Sequence, residues 1–209
     1  TIIDLCKTRL PQSYGFSPLD DIQVLCPGKK GALGTYDLNE RLQAALNPAD
    51  ELKPELSFNN KTFRRGDKVM QIKNNYDIPW TRDDGEMGEG IFNGDVGILT
   101  SVNKNAKTVE VRFDDKTAKY HGDDLLNLEL AYAVTVHKSQ GNEFNAVVIP
   151  MHKGAPQLYY RNLLYTAVTR AKNLLILVGD PSVVEYMVRN NRRTLRYSGL
   201  KCFLLEGLQ

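Results

Sequence analysis

The sequence LLYTAVTRAKNLLILVGD at residues 163–180 decides the fold class of this chain. Its run LLILV at 174–178, like AVVI at 146–149, is apolar without interruption, which is typical of strands buried on both faces of a parallel sheet. Between the two runs, four apolar side chains have the spacing of one helical face: Leu163, Leu164, Ala167 and Val168. We therefore predict a strand, helix and strand crossover, which is the building unit of an α/β fold.

A similar unit precedes this crossover. The β-favouring run IQVL at 22–25 ends at Cys26-Pro27-Gly28, where proline and glycine stop a strand. The glycine-rich segment GKKGALGTYD follows and leads into a predicted helix that ends at Asn47-Pro48. The helix is indicated by apolar residues on one face: Leu38, Leu42, Ala45 and Leu46.

The region between these units has a different pattern. From about residue 58 to 127, short alternating segments separated by turn residues predict a small β-barrel, because a lone hairpin would be marginally stable in water. Its predicted strands lie at 68–72, 96–102, 108–113 and 117–121. We therefore predict a parallel-sheet α/β domain in two parts, 1–57 and 128–209, interrupted by a barrel at 58–127.

Composition limits the functional classes. The chain has 209 residues, 42 % of them hydrophobic and 25 % charged, and no stretch approaches the ~18 apolar residues needed to cross a bilayer, so we expect a soluble protein. Three widely spaced cysteines and an N-terminus without a signal-peptide pattern favour the cytoplasm: Cys6, Cys26 and Cys202. The net charge of +2 means that any nucleic-acid binding depends on the local placement of charge. There is no CxxC pair, and the histidines lack metal-ligand spacing, so we predict no metal site.

The loop at residues 28–35 stands where a phosphate cradle would be placed, between a strand and a helix. It departs from the GxxxxGK[ST] pattern, since Gly28 and Gly34 are one residue too far apart and glycine, not lysine, precedes Thr35. We interpret it as a flexible turn with basic flanks. No apolar strand ends in an acidic pair either, so these residues are not expected to hydrolyse ATP alone.

Two segments are candidates for chemistry. In AYAVTVHKSQGNEF at 131–144, Thr135 and His137 can bind phosphate oxygens, Lys138 adds a positive charge and Gly141 allows close approach of a ligand. A polar turn that caps a helix would use similar residues. In 163–180, Arg170 can stabilise charge on a transferring γ-phosphate, although an arginine on a solvated helix end fits the spacing as well.

Together, TVHKSQGNEF and YTAVTRAKNLLILVG resemble motifs V and VI of superfamily 1 helicases, specifically the RecD-like branch. IQVLCPGKKGALGTYDLNERLQAALNP is similar to the motif IV region of this branch, and FRRGDKVMQIKNNYD with IFNGDVGIL is similar to its SH3-like insert. The resemblance implies a RecA-like domain, conventionally called 2A, interrupted by an SH3-like domain called 2B. It covers nearly the whole chain.

The resemblance also implies roles for individual residues. Arg170 would be the arginine finger, and the nucleotide side would be lined by Gln140, Gly141 and Glu143. Thr135 and His137, with Lys138 beside them, would contact the phosphates of single-stranded DNA, as would Asn74. The implied function is ATP-dependent 5′ to 3′ DNA unwinding, with ATP and Mg²⁺ held by an N-terminal motor domain that is not in this sequence.

The residues also fit two alternative functions. A non-catalytic nucleic-acid binding module and the helicase portion of a conjugative relaxase or a Pif-type helicase share these features. Three aromatic residues of the barrel are interpreted as residues of core or loop packing rather than as base-stacking platforms: Tyr76, Trp80 and Phe92. Four arginines near the end of the chain are interpreted as a solvated basic helix end: Arg189, Arg192, Arg193 and Arg196.

Overall fold

The computed structural model describes residues 1–154, 156–191 and 203–205. Its helices are α1 (Ile2–Asp4), α2 (Leu10–Tyr14), α3 (Thr35–Leu46), α4 (Arg161–Val168) and α5 (Pro181–Arg189), and a π-helical turn, Leu5–Arg9, joins α1 to α2. The strands up to the middle of the chain are β1 (Ile22–Cys26), β2 (Glu55–Phe58), β3 (Lys61–Arg64), β4 (Lys68–Gln71), β5 (Asn75–Arg82), β6 (Met87–Ile91) and β7 (Val96–Asn103). The remaining strands are β8 (Thr108–Phe113), β9 (Lys116–His121), β10 (Leu128–Leu130), β11 (Ala133–Thr135), β12 (Phe144–Met151) and β13 (Ala171–Gly179).

A parallel sheet with the order β11-β1-β12-β13 forms the α/β part. Alternate side chains of β12 enter two different cores, as the two-residue period of a strand requires. Val147 and Ile149 pack with the helices α4 and α5, whereas Ala146 and Val148 pack with α3 and the N-terminal helices. Both faces of the central strands are therefore covered, which confirms the predicted crossover and the α/β class.

The prediction of burial on both faces is wrong for β13. This strand pairs with β12 at the lateral edge of the sheet, and each of its side chains is half-buried or exposed, Leu177 being 39 % exposed. An apolar run reports that a strand belongs to a sheet, but it does not report whether the strand is central or at an edge.

The region between β1 and β11 forms a seven-stranded antiparallel sheet with the order β10-β4-β7-β8-β9-β5-β6. It has a core of its own, in which Val69, Leu99, Val111 and Tyr120 are almost completely buried. The four strands predicted here are present as β4, β7, β8 and β9. The strands β5 and β6 were not predicted from the sequence.

The predicted domain boundaries stay predictions, but strands cross or adjoin them. The hairpin formed by β2 and β3 spans the point between residues 57 and 58. Beyond residue 127, β10 still pairs with β4 of the antiparallel sheet. The antiparallel pairing therefore extends a few residues further on both sides than the alternation of the sequence indicated.

One buried carboxylate joins the antiparallel sheet to the α/β part. Asp67, in the turn before β4, is completely buried and accepts hydrogen bonds from Gln43 Nε2 at 2.6 Å and Asn47 Nδ2 at 2.7 Å, on and just after α3. It also accepts from the backbone N–H of Arg64 at 2.7 Å and from Tyr132 Oη at 2.8 Å. Because each donor comes from a different element or turn, this carboxylate fixes how the elements meet.

The cysteines and helices of the described residues have simple features. Cys6 and Cys26 are buried free thiols, and burial raises the pKa of each to about 12, so both stay protonated near neutral pH. Cys202 lies outside the described residues. No helix in the described ranges has the length and apolar character that crossing a membrane requires.

Candidate functional site

The segment from Thr135 to Glu143 crosses from the end of β11 to the start of β12 as a series of tight turns. The backbone N–H groups of Lys138 and Ser139 donate to the carbonyl of Thr135 at 2.9 and 3.2 Å, and Asn142 N–H donates to Ser139 O at 3.1 Å. Ser139 is completely buried, and its hydroxyl donates to Val136 O at 2.8 Å. Sequence reasoning missed Ser139, since nothing in the pattern separates an inward serine from an exposed one.

Thr135 and His137 lie at the carboxyl end of the parallel strands. Thr135 is the last residue of β11 and pairs with Cys26, the last residue of β1. The His137 ring is exposed, and its Nε2 lies 3.3 Å from the hydroxyl of Tyr160, which precedes α4. Tyr160 was not singled out from the sequence, because its contact with His137 joins positions far apart in the chain.

Lys138 connects this segment to the antiparallel sheet. Its ammonium donates to the carbonyl of Ile72 at 3.0 Å and to the side-chain oxygen of Asn93. The N–H of Asn93 in turn donates to Asn74 Oδ1 at 2.9 Å. Desolvation, followed by repulsion from Lys29, lowers the pKa of Lys138. The predicted residues Lys138 and Asn74 are thus brought together by one hydrogen-bonded chain.

Arg170 lies at the opposite edge of the sheet, in the turn between α4 and β13. Its backbone carbonyl accepts from Phe144 N–H at 2.9 Å, and Phe144 is the first residue of β12. Its guanidinium donates to the carbonyls of Asn142 at 3.1 Å and Thr166 at 3.2 Å. These acceptors are neutral, and among the described residues no carboxylate forms a salt bridge with Arg170. The positive charge is therefore held in place without being neutralised.

The three predicted nucleotide-side residues next to Arg170 are all exposed: Gln140, Gly141 and Glu143. Gly141 has a φ of +91°, and a Cβ atom placed on it would have no neighbour within 4 Å, so the surface in front of it is open. Glu143 faces the ammonium of Lys172 at 3.9 Å and not Arg170. The contact between this segment and the Arg170 guanidinium is made by Asn142, and its neighbours Gly141 and Glu143 are accessible.

Because the strands are parallel, their amino ends form one edge of the sheet, the amino edge, and their carboxyl ends form the other, the carboxyl edge. Thr135 lies at the carboxyl edge and Arg170 at the amino edge. Thr135 ends β11, whereas Arg170 precedes β13. The single segment 135–143 connects the two edges. An arrangement of this kind can respond to one ligand at the amino edge and to another at the carboxyl edge.

The loop at residues 28–35 is closed by its own backbone. Thr35 N–H donates to Gly28 O and Tyr36 N–H donates to Lys29 O, both at 3.2 Å, and a Cβ atom on Gly34 would lie 2.5 Å from Lys29 O. The ammonium of Lys29 is 3.3 Å from Glu129. These backbone amides and this charge are engaged within the protein, which agrees with the interpretation as a turn.

The aromatic residues of the barrel differ from one another. Trp80 packs against the core, with Arg82 at 5.2 Å and Lys116 at 4.5 Å from its ring centroid, as predicted. Tyr76 and Phe92 are 65 % and 43 % exposed and lie outside the barrel core, where their rings contact each other. Tyr76 lies where the pairing register of β5 and β6 shifts, and Phe92 follows the last residue of β6.

The basic end of the chain is only partly described. Arg189 is an exposed residue in the last turn of α5, 3.7 Å from Glu185. Arg192, Arg193 and Arg196 lie outside the described residues. In the described part of the chain, no three metal-ligating side chains come close enough together to hold a metal ion.

Comparisons with known proteins agree with this architecture. The SH3 domain of ATP-dependent RecD-like DNA helicases matches residues 38–113, and the UvrD-like helicase C-terminal domain matches residues 130–178. The ATP-dependent RecD2 DNA helicase of Deinococcus radiodurans is 34 % identical over 171 residues, which are 82 % of this chain and 22 % of that protein. The RecBCD enzyme subunit RecD of Mycobacterium tuberculosis is 29 % identical over 187 residues, or 88 % of this chain and 28 % of the relative.

A solved structure shares the fold. The Pif1 helicase from Bacteroides in complex with ADP-AlF3 and single-stranded DNA matches with a TM-score of 0.50 and 18 % identity, covering 98 % of this chain and 48 % of that chain. This likeness confirms the predicted RecA-like fold. The chain spans less than a third of the two curated relatives, 22 % and 28 % of their lengths. The matched domains and the sequence identity along most of the chain show that it belongs to the RecD-like superfamily 1 DNA helicases.

Proposed function

We propose that this chain is the part of an ATP-dependent DNA helicase that closes over ATP held by another motor domain and that grips single-stranded DNA. The observation that supports this proposal most strongly is the environment of Arg170. Its guanidinium is oriented by the carbonyls of Asn142 and Thr166, at an open edge, and has no carboxylate partner in the described residues. A preorganised and unneutralised arginine is suited to a polyphosphate presented from outside.

On the nucleotide side, the residues of the amino edge fit ATP better than they fit a metal ion. Arg170 would donate to the γ-phosphate, Glu143 would accept from a ribose hydroxyl, and Gly141 and Gln140 would let the ligand approach the backbone. Bound ATP supplies the free energy of phosphate hydrolysis. We place the ligands of Mg²⁺ on the other motor domain, since the described residues of this chain contain no metal-ligand cluster.

On the DNA side, the carboxyl edge offers hydrogen-bond donors to phosphate oxygens. Thr135 and His137 would donate from the segment itself, and Lys138 and Asn74 from the chain of hydrogen bonds that reaches Asn93. Backbone contacts of this kind hold a strand without reading its sequence. We therefore propose that DNA is bound here by its phosphates.

The segment 135–143 would couple the two sides. Its turns are held by hydrogen bonds from Lys138, Ser139 and Asn142, which would make the segment move as a unit. Closure of Arg170 onto a phosphate would shift Asn142 and, through the turns, Thr135. A cycle of closing and opening would then move this DNA contact relative to the contact on the partner domain.

We further propose the direction of movement along DNA, the dependence of ATP hydrolysis on the other motor domain, and the cellular compartment. The 5′ to 3′ direction follows from the RecD-like resemblance. We expect no ATP hydrolysis by these residues alone, because the loop at 28–34 is closed on itself and lacks a phosphate cradle. The buried free thiols Cys6 and Cys26 fit a reducing compartment such as the cytoplasm.

The test supplies the N-terminal motor domain of a RecD-like helicase, fused to this chain or added in trans, and measures DNA-stimulated ATP hydrolysis. Arg170→Ala is expected to lower kcat by roughly 10³-fold, which is the order found for arginine fingers. Arg189→Ala, on an exposed helix end, is the matched control and should leave kcat unchanged. Wild-type turnover by Arg170→Ala would refute the proposed role of this arginine.

A non-catalytic nucleic-acid binding module is not favoured, because the helicase C-terminal domain matches as well as the SH3 domain. A binding module has no need for an oriented and unneutralised arginine.

A further inference from the structure

The exposed aromatic pair Tyr76 and Phe92 lies outside the core of the barrel. The two residues directly flank the paired positions Asn75 and Ile91, where β5 meets the end of β6. Their ring centroids are 5.7 Å apart at an interplanar angle of 73°. In an edge-to-face pair of this kind, a ring face stays uncovered, and both side chains are substantially exposed. An uncovered aromatic face next to water is the geometry that a flat ligand can stack on.

The pair is held in place by its backbone and neighbours. Asn74 Nδ2 lies 3.5 Å from the hydroxyl of Tyr76, and Phe92 N–H donates to Asp95 Oδ2 at 2.8 Å. A Cβ atom on Gly90 would lie 3.2 Å from the Phe92 ring, so the ring rests against a strand position without a side chain. Little conformational freedom would be lost when a ligand stacks on rings that are already fixed.

The surroundings indicate which flat ligand fits. Asn93, the residue after Phe92, accepts a hydrogen bond from the ammonium of Lys138. Asn74, two residues before Tyr76, accepts a hydrogen bond from the backbone N–H of Asn93. The exposed Lys73 precedes Asn74. The aromatic pair is thus continuous with the residues proposed above to hold DNA phosphates. Stacking platforms beside cationic and polar groups that follow a phosphate backbone are typical of single-strand binding.

The aromatic pair Tyr14 and Phe16, of which Tyr14 is exposed, lacks these features. Tyr14 and Phe16 are stacked with an interplanar angle of 12° at 5.5 Å, so each ring covers a face of the other. Trp80 is occupied by Arg82 and Lys116 and contacts Gly88. Among the described aromatic residues of the barrel, Tyr76 and Phe92 therefore combine an uncovered face with nearby phosphate-binding groups.

We infer that Tyr76 and Phe92 form a stacking site for the bases of single-stranded DNA, next to the phosphate contacts of Lys138 and Asn74. This inference rests on the proposed function, since it places a base contact beside the proposed phosphate contacts. Stacking tolerates any base, because every base has a π face. The site therefore adds affinity without sequence preference.

The test measures binding of the 209-residue chain to two fluorescent strands by anisotropy. One strand is an oligothymidylate of about 12 nucleotides, and the other is an abasic strand of equal length, which keeps the phosphates and lacks the bases. The double variant Tyr76→Leu, Phe92→Leu is expected to bind the oligothymidylate roughly ten-fold more weakly and the abasic strand as well as wild type does. Tyr14→Leu, at an exposed tyrosine of α2, is the matched control and should change neither affinity.

A second variant protects the test against misfolding. Tyr76→Trp keeps an aromatic face, so it should retain affinity, and its added fluorescence over wild type should be quenched by the oligothymidylate and not by the abasic strand. Unchanged affinity of the double variant for the oligothymidylate, or equal losses on both strands, would overturn the stacking site and leave the phosphate contacts standing. Failure of the wild-type chain to bind either strand would overturn both proposals.

Discussion

The phenol of Tyr132 donates a hydrogen bond of 2.8 Å to the carboxylate of Asp67, linking the segment before β11 to the turn before β4. Both residues are almost completely buried. Desolvation, and next the negative charge of Asp67, raises the pKa of Tyr132, so the phenol stays a donor at all ordinary pH values. This pair is one of the contacts that join the barrel to the parallel sheet.

Substituting Asp67 with asparagine should destabilise the protein strongly. The carboxylate accepts from Gln43, Asn47, Arg64 and Tyr132, and the new amide group would turn N–H donors toward these donors. We expect Asp67→Asn to lower the free energy of unfolding by about 3 kcal/mol, as loss of a buried charged acceptor does. Urea unfolding followed by circular dichroism measures this change.

The control is Asp77→Asn, at an exposed position of β5, which should change the unfolding free energy by less than about 0.5 kcal/mol. If both variants were equally stable, the carboxylate of Asp67 would have no special part in joining the sheets.

The lowered pKa of Lys68 predicts that the free energy of unfolding depends on pH. Desolvation, opposed by Asp20, lowers the pKa of this buried ammonium from 10.5 to about 8. Below pH 8 both the folded and the unfolded state carry the proton, and folding includes the full cost of burying the charge. Between about pH 8 and 10.5 the unfolded state alone keeps the proton, so the contribution of Lys68 to stability improves as the pH rises.

Lys68→Met should therefore be more stable than wild type at pH 7, by up to roughly 3 kcal/mol at about 1.4 kcal/mol per pKa unit. The difference should shrink by about half or more at pH 9.5, and urea unfolding at both pH values measures it. Tyr120 and Tyr132 are present in both proteins, so their titration cancels. A difference that stays constant between the two pH values would contradict the lowered pKa.

Variants of Lys138 and Asn93 distinguish a direct contact of Lys138 with a DNA phosphate from a role of Lys138 in positioning its neighbours. Lys138 donates to Asn93 and to Ile72 O, and an ammonium has a third N–H available for a phosphate. We expect Lys138→Met to reduce the salt dependence of binding to single-stranded DNA, with a slope of log K against log salt that is smaller by about 0.7. Asn93→Leu removes the bridge and keeps the charge, so the affinity should fall while the slope stays unchanged.

Titration of an oligothymidylate at several salt concentrations gives both slopes. The same slope for wild type and Lys138→Met, with weaker binding, would assign Lys138 to positioning alone.

The sequence predicted the elements whose signals are local. The strand at 108–113 was placed correctly as β8, and IQVL and AVVI lie within β1 and β12. The strands β5 and β6 were missed because Pro79 interrupts one and two glycines weaken the other, Gly88 and Gly90. Pairing with β9 and with each other forms these strands despite their weak propensity.

The residues of the candidate site also fall into those that the sequence predicted and those that it did not. Residues of the motifs, such as Thr135, Gly141 and Arg170, could be selected from the sequence by resemblance. Asp67 could not. Tyr76 and Phe92 were named from the sequence, but their exposure and mutual contact could not be predicted, because their environment comes from distant positions. The donors to Asp67 lie on three separate segments, and the exposure of Tyr76 depends on the register between β5 and β6.

The placement of the barrel between two adjacent parallel strands has a thermodynamic consequence. The chain leaves the sheet after β1 and returns at β11, and a hydrogen bond from Gln23 to Tyr132 O closes a loop of 109 positions. The free-energy cost of the entropy lost in closing a loop grows only with the logarithm of the loop length, by about 0.6 kcal/mol for each doubling. An insert with a core of its own brings its two ends together before they reach the sheet, which reduces this entropy loss further. A sheet built in this way can host an entire second fold between two neighbouring strands with little loss of stability.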